Sequence, residues 1–550
     1  MTADAARSAA ETRRIEDLER VFGAVRSGDL DLAKRLAGEA LSKGIEHPVL
    51  LNLRALGHED EGRFDAALAD LRRAHFLAPA DFAILNACGL CLARMERPRE
   101  ALQCYDKVVA MQPEFGPAWF NRGWALERLG ESAKAEESYA KAAAINPQNA
   151  QAWANLAHFT ARRGDVAATR AHADRALVLQ PGLPTAVLAL AEVELGEPLA
   201  AEHRIRNLLA GPALTPFDRG LAIGQLGDAL DALDRPVEAF AAYTQSNAIF
   251  RAEAAPRFAA PGQPSVVDTL TWLVSWAKGL EGRRWASDQA GARGQAGEAG
   301  HVFLLGFPRS GTTLIESVLT GHPDVTSLEE RETLGAAVQA FLGDASGASR
   351  LAAADSGELQ SYRDDYWARV RGFGVDPAGR IFIDKNPFNT MKLPIVCKLF
   401  AGAKIIFAVR DPRDVVLSCF RRRFNLNGST YEFLDLKRTA LAYDRAMRLA
   451  EIFRARRELD EYTLVYEKLI EDFSGGAKAV CAFIGADWRE DLMDFSGRAH
   501  RGEVASASSA QIARGLYLGG AGQWRRYRAE LAPILPILAP WVERFGYPAN

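Results

Sequence analysis

The chain has 550 residues, 48% of them hydrophobic and 25% charged, with a net charge of −3. Single cores stop growing near ~250–300 residues, so two or more domains are expected; the composition excludes a disordered or fibrous chain, and the charge balance gives no pull toward nucleic acid. No stretch approaches the roughly 20 apolar residues of a membrane span, and MTADAARSAAETRR lacks the apolar run of a secretory leader, so a cytoplasmic protein without a membrane span is expected. Six cysteines make no disulfide framework, and the scattered histidines, His301 and His322 among them, form no metal-binding cluster, so no catalytic metal is expected.

Residues 1–14 read as a disordered tail and residues 15–255 as a repeat array. Pro79, Pro113, Pro147 and Pro181 recur every 34 residues, as do Ala74, Val108, Ala142 and Ala176, and 34 is the tetratricopeptide length. In the clearest unit, residues 117–147, Trp119, Gly123 and Ala125 are expected on a first helix and Ala135, Tyr139 and Ala142 on a second. Gly62, Gly130 and Gly164 mark the turns between paired helices, and the closing proline ends each second helix. Hairpins of this kind bury their apolar faces only by stacking, which predicts an all-α solenoid with degenerate units near 15–48 and 216–251. Cys88 and Cys91 form a CxxC, but inside a helical repeat, where core packing is the expected use rather than redox or metal chemistry. Two uses of the array stay open: docking of a protein, peptide or acceptor, and a scaffold that caps the rest of the chain. Self-association is a further use of such arrays.

Between 256 and 300 the period breaks. A connecting helix is expected around VVDTLTWLVSWAKGL, followed by the Gly/Ala-rich linker SDQAGARGQAGEAG. From His301 the chain runs HVFLLGFPRSGTTLIESVLTGHP, a strand, a glycine-containing loop and a helix. Backbone N–H groups opened by Gly311, with the hydroxyls of Ser310, Thr312 and Thr313 and the guanidinium of Arg309, suit a phosphate at the positive end of a helix. Gly306 and Gly311 have the spacing of GxxxxGK[ST], but Thr312 stands where that motif has Lys, which argues against triphosphate or kinase chemistry. A second buried strand is KIIFAV (404–409), ended by Arg410, with Ser418 on the helix that follows Pro412. A third is FIDK, ending at Lys385 beside Asn386 and Asn389. The acids Glu329, Glu330 and Glu332 follow the first helix.

These motifs, in this order over residues 301–550, resemble the sulfotransferase superfamily. The resemblance is closest to bacterial tetratricopeptide-repeat sulfotransferases and the related tyrosylprotein sulfotransferases. It implies a C-terminal α/β P-loop-like domain with a central parallel sheet. Its donor would be 3′-phosphoadenosine 5′-phosphosulfate (PAPS), and its acceptor a hydroxyl of a protein tyrosine, a glycan or a small molecule. By resemblance the loop Pro308 to Thr313 grips the 5′-phosphosulfate, and Arg410, Ser418 and Arg422 serve the phosphate side of the nucleotide. Tyr466 lies near the adenine. Glu330 is the catalytic base with Glu329 in reserve, Lys385 acts on the leaving oxygen, Arg309 assists, and Ser508 closes over the donor. For Arg410 an ion pair with Asp411 or Asp414 is the alternative, and for Arg421, Arg422 and Arg423 a solvated basic face. The tail departs from the family at Gly515 and at Gln523, which leaves Arg514, Arg525 or Arg526 for the closing contact. The competing function is a non-catalytic repeat scaffold with a nucleotide-sensing α/β domain.

Overall fold

The computed structural model describes residues 3–211, 214–280, 285, 296–456, 460–500 and 518–549. They divide into two compact units, Met1–Phe159 with Ala168–Ala186, and Thr160–Ala167 with Val187–Asn550. In the first unit the helices come in pairs, as the 34-residue period requires. Turn positions 28, 62 and 130 are glycines with φ of 75°, 73° and 76°, Glu96, one period after Gly62, adopts φ 54° in the same place, and Gly164, which falls in the second unit, keeps the pattern with φ 75°. The left-handed turn is therefore a property of the repeat that even a glutamate obeys. Within hairpins a glycine lets the second helix approach: a Cβ at Gly89 would lie 2.5 Å from the Tyr105 ring, and one at Gly123 would lie 2.8 Å from Tyr139. Cys88 and Cys91 are buried on the helix Phe82–Arg94, and burial pushes their thiols up to about 12 and about 11, which fits packing rather than reactivity. The stretch read as a tail is helical from Ala3, in Ala3–Arg26, whose alanine and arginine content favours helix.

The second unit begins with repeat-type helices and continues into an α/β layer. Its hairpin Pro216–Ala232 and Pro236–Phe258 repeats the same lock, with Gly227 against the ring of Tyr243. The expected connecting helix is Val266–Lys278, opened by a capping box of Ser265 and Asp268. Most of the linker, residues 286–295, lies outside the described residues.

Five parallel strands follow: β1 (Gly300–Gly306), β2 (Val325–Leu328), β3 (Ile381–Lys385), β4 (Lys404–Val409) and β5 (Asp460–Val465), in the order β2-β3-β1-β4-β5. β1, β3 and β4 are apolar runs because both sheet faces are covered. Val302 and Leu304 pack on one side against Ile315, Val318 and Val480, while His301 and Phe303 meet Tyr366 and Phe400 on the other. β1 is flanked by β3 on one side and β4 on the other, so chain direction diverges there. That is the crevice where open parallel sheets gather ligand groups at their carboxyl ends.

Candidate active site

The loop after β1 is shaped by backbone constraints. Gly306 has φ 146°, and a Cβ there would lie 2.7 Å from the Ala408 carbonyl. Thr390 Oγ1 accepts from the Gly306 N–H at 2.9 Å and donates to its carbonyl at 2.6 Å, holding the end of β1 from the β3 side. Arg309 takes φ 73°, unusual for a residue with a side chain, and Gly311 takes φ 96° at the start of the helix Thr312–Leu319. A Cβ at Gly311 would meet the Tyr466 ring at 2.6 Å. Pro308, Ser310, Thr312 and Thr313 are buried around this turn. A side chain at Gly306 or Gly311 would run into the Ala408 carbonyl or the Tyr466 ring, so the turn keeps this close packing only with glycine at both positions.

Basic groups converge on the loop from β4. Arg309 Nε donates to Ser418 Oγ at 3.0 Å, and Arg410 Nη1 donates to the Arg309 carbonyl at 2.9 Å. The Arg410 guanidinium lies 4.7 Å from the centre of the Tyr466 ring and its Nη2 donates to the Gly520 carbonyl. Arg410 Nε is buried and, among the described residues, has no hydrogen-bond partner. Burial lowers the Arg309 guanidinium to about 9, and the charges of Arg422 and Arg410 push it the same way. Two like charges set beside Arg309 at the end of this turn suit an anion.

The ion pair weighed for Arg410 is not formed. Asp411 is taken by Arg413 through contacts of 2.7 and 2.9 Å, and Asp414 accepts the N–H groups of Gly522 (2.6 Å) and Trp524 (2.8 Å). The arginine triplet is not a solvated face either. Arg421 pairs with Asp231 at 2.6 Å and Arg423 with Asp228, both acids on the last repeat hairpin, while Arg422 is coupled to Arg309. Burial, then Arg423, lowers Arg422.

On the other side of β1, Lys385 ends β3 with a fully buried side chain, not an exposed one. Its Nζ lies 2.9 Å from Glu330 Oε1 and 3.1 Å from Glu316 Oε2. Glu330 is 40% exposed, and Glu329 adjoins it on the loop after β2. Asn386 and Asn389 do not join this pair as a polar cluster. Asn386 donates to the Arg331 carbonyl and caps Phe388, and Asn389 donates to buried Asp384, so both brace the loops around Lys385. Ser508, Arg514 and Gly515 lie outside the described residues. Gln523 accepts from Arg421 and donates to the Gly519 carbonyl. Arg526 pairs with Asp231 and Asp234, and Arg525 lies over the Trp524 ring, so both are engaged away from the loop after β1.

Two contributors escaped the sequence reading, Glu316 and Thr390, and Asp414 entered it only as a partner for Arg410, not as the acceptor of the Gly522 and Trp524 N–H groups. Glu316 did leave a trace, as the lone charge in TTLIESVL, a helix otherwise fit for burial. Thr390 and Asp414 look like ordinary loop and helix residues, and nothing local to them points to β1 or to residues 522–524.

Residues 301–490 match the sulfotransferase family and residues 87–150 match the tetratricopeptide repeat. The chain is a tetratricopeptide-repeat protein with a sulfotransferase-family domain. An uncharacterized protein of Aquifex aeolicus is 26% identical over 246 residues, 43% of this chain and 32% of that one. Protein-tyrosine sulfotransferase 1 of Danio rerio is 24% identical over 260 residues, 45% of this chain and 72% of that enzyme. A repeat protein from Parabacteroides merdae aligns with 43% of this chain and 93% of its own, at 18% identity and a TM-score of 0.35. The sulfotransferase-family match thus spans all five strand ends that build the site. No helix among the described residues is long and apolar enough to cross a membrane, and no metal-binding group of His, Cys, Asp or Glu occurs among them.

Proposed function

We propose that the α/β domain transfers a sulfuryl group from PAPS to an acceptor hydroxyl, and that the repeats dock the acceptor or a protein partner. The observation that carries this reading is the convergence at β1. Arg309, Arg410 and Ser418 surround a glycine-shaped phosphate turn on one side, and the Glu330–Lys385 pair stands on the other. The donor fits these residues: the turn accepts the 5′-phosphosulfate, while the unpartnered Arg410 Nε and Ser418 suit the 3′-phosphate. Arg422 adds charge there, and Tyr466 offers its ring to the adenine.

PAPS supplies a sulfuryl group already activated by a phosphate leaving group. Glu330, half in solvent, takes the acceptor hydroxyl proton as the acceptor oxygen bonds to sulfur. Lys385 donates an N–H to the bridging oxygen as its bond to sulfur breaks, and Arg309 offsets charge on the sulfuryl oxygens. Ser508 is assigned to closure over the donor. The relatives named protein-tyrosine sulfotransferases favour a tyrosyl hydroxyl as acceptor, with glycan and small-molecule hydroxyls as the other classes.

Calorimetry with 3′-phosphoadenosine 5′-phosphate tests the site: binding is expected, and no heat at about 1 mM ligand overturns the reading. Preference for ATP with magnesium would do the same. Labelled PAPS with a cell extract identifies the acceptor fraction. In that assay Glu330→Gln is expected to slow transfer ~10²–10⁴-fold; a loss of only a few-fold removes Glu330 as the base.

A further inference from the structure

The helix behind the phosphate turn holds an acid that phosphate binding does not use. Glu316 is 6% exposed, and a buried carboxylate costs several kcal/mol unless its oxygens are engaged. Both are. Oε1 accepts from Ser327 Oγ at 2.6 Å, and Oε2 lies 3.1 Å from Lys385 Nζ. Lys385 therefore sits between two carboxylates of different standing. Glu316 is fixed on a packed helix and shielded from solvent. Glu330 is 2.9 Å away on a loop and open to an incoming acceptor.

The two carboxylates are not equivalent during a proton transfer. When Glu330 takes the acceptor proton it becomes neutral and its attraction for the ammonium falls. Glu316 has no access to the acceptor and keeps its hold. We propose that Glu316 is a positioning residue that keeps the Lys385 ammonium charged and aimed at the bridging oxygen while Glu330 exchanges its proton. This rests on the sulfotransferase reading and adds to it a fixed counter-ion on the helix of the phosphate turn.

The charges around the lysine agree above pH ~7, where Glu316 is ionised. Burial pulls Lys385 down, but Glu316 and then Glu330, with a smaller share from neighbouring Glu329, outweigh it and leave its pKa above the ordinary lysine value. Burial pushes Glu316 up to about 7 against the pull of Lys385, with Glu329 adding to the rise. Arg309 faces Glu330 from the loop after β1.

The test is Glu316→Gln in the full chain, which keeps shape and removes charge. The expected result is a fall in kcat of about 10-fold or more, with PAPS KM and nucleotide affinity changed less than about threefold. The alkaline limb of the pH–rate profile should move to lower pH, because Lys385 has lost one of its two close carboxylates. Glu316→Asp, which keeps the charge, should restore the position of that limb. A Gln variant with kcat within twofold and an unmoved limb overturns the proposal. So does a variant whose losses are confined to thermal stability and nucleotide binding, since that marks a purely structural acid. Wild-type protein that binds no 3′-phosphoadenosine 5′-phosphate overturns the sulfotransferase reading itself. Wild type that transfers beside an unaffected Gln variant overturns only the role of Glu316.

Discussion

Two hairpins of this chain share one internal design and differ in what their outer surfaces meet. In the hairpin Gly116–Arg128 and Ser132–Ile145, Gly123 admits the Tyr139 ring, and the Tyr139 hydroxyl donates to Glu127 at 3.0 Å. In the hairpin 216–258, Gly227 admits Tyr243, whose hydroxyl donates to Asp228 at 3.0 Å. The second hairpin, however, also carries Asp231 and Asp234 beyond Asp228. Asp231 accepts from Arg421 (2.6 Å), Arg526 (2.7 Å) and Tyr527 (2.5 Å). Phe240 stacks on Phe420, and Asn247 donates to the buried Phe420 carbonyl at 2.8 Å. The repeat period builds a hairpin, and a few outward residues make one hairpin part of the α/β unit. Through residues 520–527 that hairpin is also linked to Arg410, which donates to the Gly520 carbonyl.

The strongest way to break the comparison is Asp231→Ala. Its side chain is 11% exposed, and removing one partner of a buried charge cluster costs about 3–5 kcal/mol. Urea unfolding should show that loss, together with weaker binding of 3′-phosphoadenosine 5′-phosphate. A loss below about 1 kcal/mol would mean the hairpin is merely adjacent. Adding a methyl in each lock separates the two hairpins further. Gly227→Ala and Gly123→Ala both force a Cβ into a tyrosine ring and should each cost about 1–3 kcal/mol. Only Gly227→Ala should weaken nucleotide binding; equal effects on binding would erase the distinction.

Acidity probes the sheet side of the same unit. Burial lowers the His301 imidazole to about 3, so His301 is neutral in the fold and its contribution is complete above its unfolded value of 6.5. That contribution is lost as pH falls from 6.5 toward 3, by about 1.4 kcal/mol at pH ~5.5. Burial raises Asp384 to about 6, which acts with the opposite sign: its stabilisation is full in acid and is lost as pH climbs through 6. The difference in stability between wild type and His301→Phe should therefore shift by about 1.4 kcal/mol between pH ~7.5 and ~5.5, which isolates the histidine. A pH-independent difference would place His301 in contact with water. The smallest effect is expected at Asp234→Ala. That acid is 85% exposed, and pairs of this kind contribute about 0–1 kcal/mol.

Much of the structure around β1 could be read locally because its parts are local patterns. KIIFAV and FIDK are buried strands that end in Arg410 and Lys385, and PRSGTT turns a strand into a helix start. The alternatives that fell away did so where a residue's partner is far along the chain. Asp411 or Asp414 was the alternative partner for Arg410, but Arg413 folds back on Asp411 and Arg410 reaches carbonyls 101 and 110 residues away. Three consecutive arginines looked alike, yet their side chains leave the end of one helix in different directions. Two meet acids 190 and 195 residues earlier, and Arg422 is left coupled to Arg309.

By itself the sequence determined the repeat period, the glycine turns between paired helices, the order of the apolar strands along the chain and the glycine-opened loop after β1. These follow from periodicity and backbone sterics, which act over a few residues. Tertiary structure alone decided that Glu316 and Glu330 share Lys385, that Asp231 ties a repeat hairpin to residues 526 and 527, and that Arg410 Nε meets no hydrogen-bond partner among the described residues. Each of these depends on burying a charge beside a distant partner, and the cost of an unpaired buried charge appears only once the chain has closed around it.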